Sequence, residues 1–135
     1  MDFLDLHTHK TPVKSGQLTI QSLSLTEDVF LAMPKKKLLS IGLHPWHASI
    51  EKLELHMKYL TVLAKQDNVK MIGECGLDYD LAHYAAKEYQ IKYFPFHFDL
   101  AQKYNKPMYL HNRNTGDDFY QLVRENRHKF NKGVV

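Results

Sequence analysis

The chain has 135 residues, of which 44% are hydrophobic, and its 18 Lys and Arg residues against 15 acidic residues give a net charge of +3 at pH 7. This length fits a single domain and this apolar content supplies a core, which excludes a disordered chain, and no apolar run approaches the roughly 18 residues of a membrane span. The charge is too small to indicate nucleic-acid binding by itself, although it is compatible with an anionic substrate.

The cysteine count and the N-terminal residues indicate the cellular compartment of the protein. Cys75 is the only cysteine, so the chain forms no internal disulfide and offers no disulfide partner, which favours a reducing cytoplasm. Asp2 and Asp5 stand where a signal peptide would be basic and then apolar. We therefore expect a soluble, cytoplasmic protein without a membrane partner, and the sequence leaves its oligomeric state open.

Apolar runs alternate with helical patterns along the chain, which predicts an α/β protein with a mainly parallel sheet. Residues 132–135 resemble the opening of a further buried strand. The predicted strands cover residues 3–6, 18–25, 38–43, 69–73 and 107–110.

Apolar residues at helical spacing predict helices over residues 51–66 and 116–130. Residues 87–104 show the same pattern, but Pro95 removes a backbone donor and predicts a kink or a restart of this helix. Residues 26–37 are long enough only for a short helical turn. No repeat, low-complexity tract or linker divides the chain, so residues 1–135 form one predicted domain.

Two histidines follow the first predicted strand. His7 and His9 are two residues apart, so the alternation of a strand places both imidazoles on the same side, within reach of one cation. Asp5, two residues earlier, is a potential supporting group. Taken alone, such a histidine pair also fits a polar loop.

Glu74 directly follows the predicted strand at 69–73, where α/β barrels place their chemistry, and a carboxylate there can bridge two cations. The alternative is a solvated glutamate in a tight turn between Gly73 and Gly76. The neighbouring Cys75 raises a second alternative, a thiolate nucleophile for acyl transfer. We disfavour it because strand alternation points Cys75 away from the face that Glu74 uses.

His111 follows the predicted strand at 107–110, with Arg113 two residues further on. A single histidine at a strand end is typically a hydrogen-bonded polar residue. Here it is the third strand end that offers a metal-binding side chain, and this repetition favours a metal site.

His44 and His47 flank Trp46 at the end of the third predicted strand, where they could line the same mouth. Trp46 offers a flat surface for a base or a sugar, and packing in the core is the alternative. We interpret the remaining histidines in or near predicted helices as structural or solvated: His56, His83, His97 and His128.

These motifs, in this order, resemble the N-terminal half of the TatD-family metal-dependent hydrolases, a branch of the amidohydrolase-like barrels described as deoxyribonucleases. The resemblance covers all 135 residues. The matching positions are Asp5, His7, His9, Gly42, His44, Pro45, Gly73, Glu74, Gly76, Leu77, Asp78, Gln90, residues 94–101, Pro107, His111 and Arg113.

The resemblance implies a TIM (β/α)8 barrel with a site for two divalent metal ions, Zn, Mg or Mn, at the C-terminal mouth of the strands. It implies that His7 and His9 bind one ion, that His111 binds the other, and that Glu74 bridges both. His44 and Arg113 would bind the substrate at the mouth.

The chain departs from the family pattern in its extent. It holds about five to six of the barrel strands, so we expect a truncated barrel with unpaired edges and an exposed apolar face. A histidine after the sixth strand and an aspartate after the eighth, which the family uses at its metal site, lie beyond Val135. We expect that the sequence is a partial one and that the function belongs to the complete protein.

The leading hypothesis is a TatD-type metal-dependent hydrolase, a deoxyribonuclease that cleaves phosphodiester bonds of DNA with Glu74 as a catalytic residue. One alternative is a catalytically incomplete half-barrel that acts as a binding module. Another keeps the two-metal site but hydrolyses a small amide or phosphoester, because substrate choice resides in loops.

Overall fold

The computed structural model describes residues 3–9, 17–24, 34–48, 51 and 53–135. The prediction of a short helical turn over residues 26–37 lies largely outside these residues. The six strands are β1 (Phe3–Thr8), β2 (Gln17–Ser24), β3 (Leu38–Gly42), β4 (Val69–Asp78), β5 (Met108–Arg113) and β6 (Gly133–Val134). The α-helices are α1 (Leu53–Ala64), α2 (Lys87–Tyr104) and α3 (Asp118–Asn126), and short 3-10 helices cover Pro45–His47, Tyr84–Ala86 and Arg127–Lys129.

All six strands form one parallel sheet in the order β1-β2-β3-β4-β5-β6. Neighbours in sequence are therefore neighbours in space, and the three α-helices of the described residues lie in connections between parallel strands. This sequential order is that of a barrel wall, in which the carboxyl ends of all strands meet at one edge. The predicted α/β fold of about five to six barrel strands is confirmed. Strand β6 lies within residues 132–135, where the sequence resembled the opening of a further strand, but it is exposed rather than buried.

The core lies between the sheet and the helices. Leu39 and Ile41 of β3 and Ile72 of β4 are fully buried, because the apolar runs of these strands face the helices. Phe94 and Phe98 of α2 pack in the same core cluster. Among the described residues, no helix is both long and apolar enough to cross a membrane.

Helix α2 passes through Pro95 without a break, so the predicted restart of the helix is wrong. Proline costs a backbone hydrogen bond inside a helix, but tertiary packing can outweigh that cost. Phe94 and Phe98, on either side of Pro95, are almost completely buried against the sheet and the following helix. The core thus holds both halves of α2 in one helix.

Strand β4 is five residues longer than predicted and continues through Glu74 to Asp78. The predicted strand end at Gly73 is therefore wrong, and so is the alternative in which the two glycines mark a tight turn around a solvated glutamate. Gly73 and Gly76 have φ values of 139° and 152°, and a Cβ atom at either would overlap a backbone carbonyl of β5. The glycines allow β4 to run closely beside β5.

Candidate metal centre

The carboxyl ends of four strands bring the predicted site residues together. His7 lies in β1 with His9 directly beyond its end, His44 lies just after β3, and His111 lies in β5. Glu74 lies inside β4 rather than after it, and its carboxylate is the point on which the four imidazoles converge. Long-range strand pairing, not proximity in sequence, creates this cluster.

One carboxylate oxygen of Glu74 faces the histidines of β1. Its Oε2 atom lies 3.2 Å from Nε2 of His7 and 3.5 Å from Nε2 of His9. The His7 ring is stacked on the ring of Tyr109 at 3.9 Å, which supports its orientation. The strand alternation that predicted a shared side for His7 and His9 is confirmed, because their Nε2 atoms are 3.1 Å apart.

The other carboxylate oxygen faces a different pair of histidines. Oε1 of Glu74 lies 2.6 Å from Nδ1 of His111 and 3.4 Å from Nε2 of His44. His44 is almost fully buried and makes edge-to-face contact with the His111 ring at 4.7 Å. Glu74 thus lies between two sets of nitrogen atoms and directs one oxygen to each.

The electrostatics of Glu74 and His111 are coupled. Burial by itself raises the pKa of Glu74, but hydrogen bonds with His111 and His44 outweigh it and hold this pKa well below its usual range. Burial by itself lowers the pKa of His111, and its hydrogen bonds with Glu74 and Asp78 outweigh that effect and raise it. Glu74 is therefore an anion at neutral pH, the state that a cation ligand requires.

Asp78 is a member of the cluster that the sequence motifs contained but that we did not assign to the site. Its fully buried side chain accepts a hydrogen bond from Nε1 of Trp46 at 2.7 Å, and its Oδ2 atom lies 2.9 Å from Nε2 of His111. Burial by itself raises the pKa of Asp78, but the Trp46 hydrogen bond and those with Asp80 and His111 lower it. Its spacing from Glu74 could have assigned Asp78 to the site, because residues 74, 76 and 78 of an extended strand share one face.

The hydrogen bonds of His44 distinguish it from the other three histidines. Its Nδ1 atom accepts a hydrogen bond from the backbone N–H of Trp46 at 3.2 Å. A neutral imidazole that accepts at Nδ1 carries its proton on Nε2, so Nε2 of His44 is a donor directed at Glu74. A cation ligand needs a lone pair, which this arrangement does not provide.

Arg113 and Asp5 lie at the margin of the cluster. The Arg113 guanidinium pairs with the Asp80 carboxylate at 3.4 Å, and its side chain is 49% exposed. Oδ1 of Asp5 accepts a hydrogen bond from the backbone N–H of His7 at 3.1 Å, so Asp5 supports the β1 backbone. Arg113 is accessible to a ligand at the mouth of the cluster.

Cys75 does not have the environment of a nucleophile. It is fully buried, and its Sγ atom contacts the backbone oxygen of Tyr109 at 3.7 Å. Burial, reinforced by the charge of Glu74, raises the pKa of this thiol well above its ordinary value. The thiolate that acyl transfer requires is therefore disfavoured.

The donor atoms around Oε2 of Glu74 fit a divalent cation. This oxygen is buried and makes no hydrogen bond within the described part of the chain, although two imidazoles adjoin it. The Nε2 atoms of His7 and His9 face each other at a distance where only one proton fits between them. Once this proton is released, the two Nε2 lone pairs and the ionised carboxylate form a donor set that a divalent cation satisfies.

Two groups in the described chain have such an arrangement of potential ligand atoms. One contains His7, His9 and Glu74, and the other contains His44, Glu74 and His111. Within each group, one donor atom from every residue lies within 4.8 Å of the others. Glu74 is common to both groups.

Comparison with known proteins agrees with the fold and the motifs. A family model described as TatD related DNase matches residues 8–135. A deoxyribonuclease Tat-D of Schizosaccharomyces pombe is 33% identical over 106 residues, which cover 71% of this chain and 34% of the relative. An uncharacterized metal-dependent hydrolase, YabD of Bacillus subtilis, is 33% identical over 86 residues, which cover 64% of this chain and 33% of the relative.

A solved structure shows the same fold. The crystal structure of a TatD-family hydrolase from Entamoeba histolytica matches with a TM-score of 0.75 and 23% identity, over 99% of this chain and 57% of that chain. The present chain thus spans about a third of the length of the curated relatives and somewhat more than half of this structure. The sequence-wide match of the family model, with the sequential parallel sheet and the ordered motifs, shows that the chain belongs to the TatD-related DNase family.

Proposed function

We propose that this chain supplies most of a two-cation site that hydrolyses phosphodiester bonds of DNA. In this proposal His7 and His9 bind one cation, His111 binds the other, and Glu74 bridges the two. The observation that carries the proposal is the division of the Glu74 carboxylate, whose two oxygens face separate histidine sets. A carboxylate in such a position is suited to hold two charges close together.

The donor atoms favour particular metals. Three imidazole nitrogens and one carboxylate suit Zn or Mn better than Mg, which prefers a shell of oxygen atoms and keeps several waters. When bound, two such cations supply Lewis-acid activation of a phosphodiester and neutralise its charge. No side-chain nucleophile is required, in agreement with the buried state of Cys75.

The remaining residues of the mouth have roles toward the substrate. In this proposal the Nε2–H group of His44, which faces Oε1 of Glu74 at 3.4 Å, donates a hydrogen bond to a phosphate oxygen of the substrate. Arg113, half exposed beside Asp80, offers a cation for the next phosphate of the strand. Both assignments agree with the substrate roles expected from the sequence.

DNA is favoured over a small amide or phosphoester because a curated relative is named as a deoxyribonuclease. Cytoplasmic location stays a prediction, supported by the single, buried cysteine. The alternative hypothesis, a non-catalytic binding module, predicts that the chain binds metal and DNA without cleaving the DNA. The same experiment therefore tests both hypotheses.

The experiment compares Glu74→Gln with Glu125→Gln, a matched charge loss on the exposed side of α3, where Glu125 accepts a hydrogen bond from Gln121 at 3.0 Å. Calorimetric titration with Mn and with Zn gives the number of bound cations, and a labelled DNA oligonucleotide reports cleavage. We expect Glu74→Gln to lose both the second cation and the cleavage, and Glu125→Gln to match the unchanged chain. Equal metal stoichiometry in the two variants would contradict the bridging role, and metal-loaded protein without cleavage would favour the binding module.

A further inference from the structure

The side chain of Trp46 is held rigidly at the mouth of the metal centre, yet half of it remains in solvent. It belongs to the 3-10 helix Pro45–His47 directly after β3, and it is 51% exposed. Core packing, the alternative considered for this residue, is therefore wrong. Its ring N–H donates to Asp78 at 2.7 Å, and its backbone N–H donates to His44 at 3.2 Å. Two hydrogen bonds thus fix an apolar surface that folding does not bury.

A second ring extends this surface. His83, in the connection between β4 and α2, is stacked on Trp46 with 4.8 Å between ring centroids and 13° between ring planes. The sequence predicted only a structural or solvated role for His83. In the structure, the two nearly parallel rings form one partly exposed aromatic unit, which we call the Trp46–His83 pair.

The Trp46–His83 pair adjoins the cluster around Glu74. The Trp46 ring centroid lies 4.8 Å from that of His44 and 6.4 Å from that of His111. Both of these imidazoles contact Oε1 of Glu74. A ligand group on Trp46 and another at Glu74 are therefore close enough to belong to adjoining parts of one small molecule or one nucleotide.

The chemistry of the Trp46–His83 pair selects a flat, π-bonded ligand. Every nucleobase has a π-face, and stacking on an aromatic side chain binds bases with little sequence preference. A base inside a duplex has both faces covered by its neighbours, so it is available for such stacking only when it is unpaired or displaced from the stack.

We propose that the Trp46–His83 pair stacks an unpaired nucleobase of the strand whose phosphodiester lies at Glu74. This inference rests on the proposed function, because it names a base subsite beside the proposed phosphate site. Trp46 is a binding residue in this proposal, and its hydrogen bond to Asp78 fixes the distance between the stacked base and the Glu74 cluster. The pair thereby favours single-stranded or frayed ends over intact duplex.

The test measures binding in the presence of a chelator at low salt, so that turnover does not contribute. Fluorescence anisotropy of a labelled single-stranded oligonucleotide is compared with that of an abasic oligonucleotide of the same length and charge. We expect the abasic strand to bind the unchanged chain about 5- to 150-fold more weakly, the range for losing one stacked base. In Trp46→Ala this ratio falls to about one.

Trp46→Phe is the matched control, because it keeps an aromatic face and removes the N–H group that bonds Asp78. It should retain most of the preference for bases that Trp46→Ala loses. His83→Ala, which removes the ring behind Trp46, should reduce the preference partly. Since Trp46 is the only tryptophan of the chain, quenching of its fluorescence by the single strand gives a second, direct reading of the stacked state.

Three results would overturn the proposal: equal binding of the normal and abasic strands, a base preference that survives in Trp46→Ala, or binding of an intact duplex as tight as that of the single strand. If Trp46→Ala does not give a folded far-UV spectrum, the abasic comparison and the His83→Ala variant still decide. Cleavage of DNA without a base preference at Trp46 would remove this subsite and leave the proposed function intact. A base preference without cleavage would support this subsite and contradict the proposed function.

Discussion

The His111 imidazole is held between two carboxylates, and Asp78 binds the side that faces away from Glu74. Nε2 of His111 lies 2.9 Å from Oδ2 of Asp78, while Nδ1 lies 2.6 Å from Oε1 of Glu74. Asp78 therefore accepts a hydrogen bond from Nε2–H of His111 and keeps a proton on that nitrogen. Nδ1, which faces the ionised Glu74, can give its lone pair to a cation once it has released its own proton. Such a carboxylate–histidine pair orients a metal ligand and raises its basicity.

Asp78→Asn should weaken cation binding without removing any ligand. The amide cannot accept hydrogen bonds at both of its ends, so either the Asp80 backbone donor at Oδ1 or the Trp46 and His111 donors at Oδ2 lose their acceptor. We expect the affinity for Mn or Zn to fall about 10- to 100-fold, as measured by calorimetric titration. Asp80→Asn, which changes the adjacent carboxylate on Arg113, is the control and should keep the affinity of the unchanged chain. Equal affinities in both variants would show that Asp78 does not orient His111.

His44 and His111 should differ in their effect on metal binding, although both contact Oε1 of Glu74. Nε2 of His44 carries the proton because Nδ1 accepts from the Trp46 backbone, whereas Nδ1 of His111, which faces Oε1 of Glu74 at 2.6 Å, can exchange its proton for a cation. His111→Ala should therefore lose one bound cation, and His44→Ala should keep both while it raises the KM for DNA. Metal analysis of dialysed protein decides between them. Loss of a cation in His44→Ala would mean that His44 is itself a ligand.

The sequence identified the side chains that converge on Glu74 better than it identified the groups that support them. His7, His9 and His111 could be found because each lies at the end of an apolar run, and the ends of parallel strands meet at one edge. The bond between Trp46 and Asp78 joins residues 32 positions apart. This hydrogen bond depends on how β3 and β4 pair and on how far β4 continues. A local sequence pattern predicts neither of these.

The two glycines of β4 explain why the strand was predicted too short. Gly73 and Gly76 resemble turn residues in sequence, but in the structure they remove side chains that would overlap the Tyr109 and His111 carbonyls. Local propensity predicted a turn, and tertiary contact with β5 decided otherwise. The face that carries Glu74 and Asp78 exists because β4 remains extended through both glycines.

Gly76→Ala should therefore destabilise the chain much more than Gly116→Ala does. The new methyl group at residue 76 would overlap the backbone oxygen of His111, whereas at Gly116 no atom lies within 4 Å of the added Cβ. Gly116 has a φ of 56°, in the left-handed helical region that Ala can adopt, so Gly116→Ala should cost about 1 kcal/mol. Gly76 has a φ of 152°, which is essentially restricted to glycine and adds backbone strain to the overlap. We expect Gly76→Ala to cost about 3 kcal/mol or more in the free energy of unfolding measured with urea. A similar cost at the two positions would mean that β4 and β5 separate easily at this point.

His97 should make the stability of the chain depend on pH. Its Nε2 atom accepts a hydrogen bond from the backbone N–H of Leu43 at 2.9 Å, and its Nδ1 atom lies 3.0 Å from the backbone oxygen of Tyr93. The neutral ring thus connects α2 to the end of β3. Complete burial lowers the pKa of His97 to about 4 from its ordinary value of 6.5, which outweighs the opposing hydrogen bonds with Tyr93 and Phe94.

The direction of this pH dependence follows from the lowered pKa of His97. Between these two pKa values the unfolded chain binds a proton that the folded chain does not bind, so stability falls as the pH is lowered through this range. The loss from this one group is about 2 kcal/mol between about pH 7.5 and about pH 5. Urea unfolding at both pH values measures it, and His97→Gln, whose amide oxygen can still accept from Leu43, should remove that part of the pH dependence. The exposed His128→Gln should retain the full dependence, and an unchanged slope in His97→Gln would show that the pKa of His97 is the same in the folded and the unfolded chain.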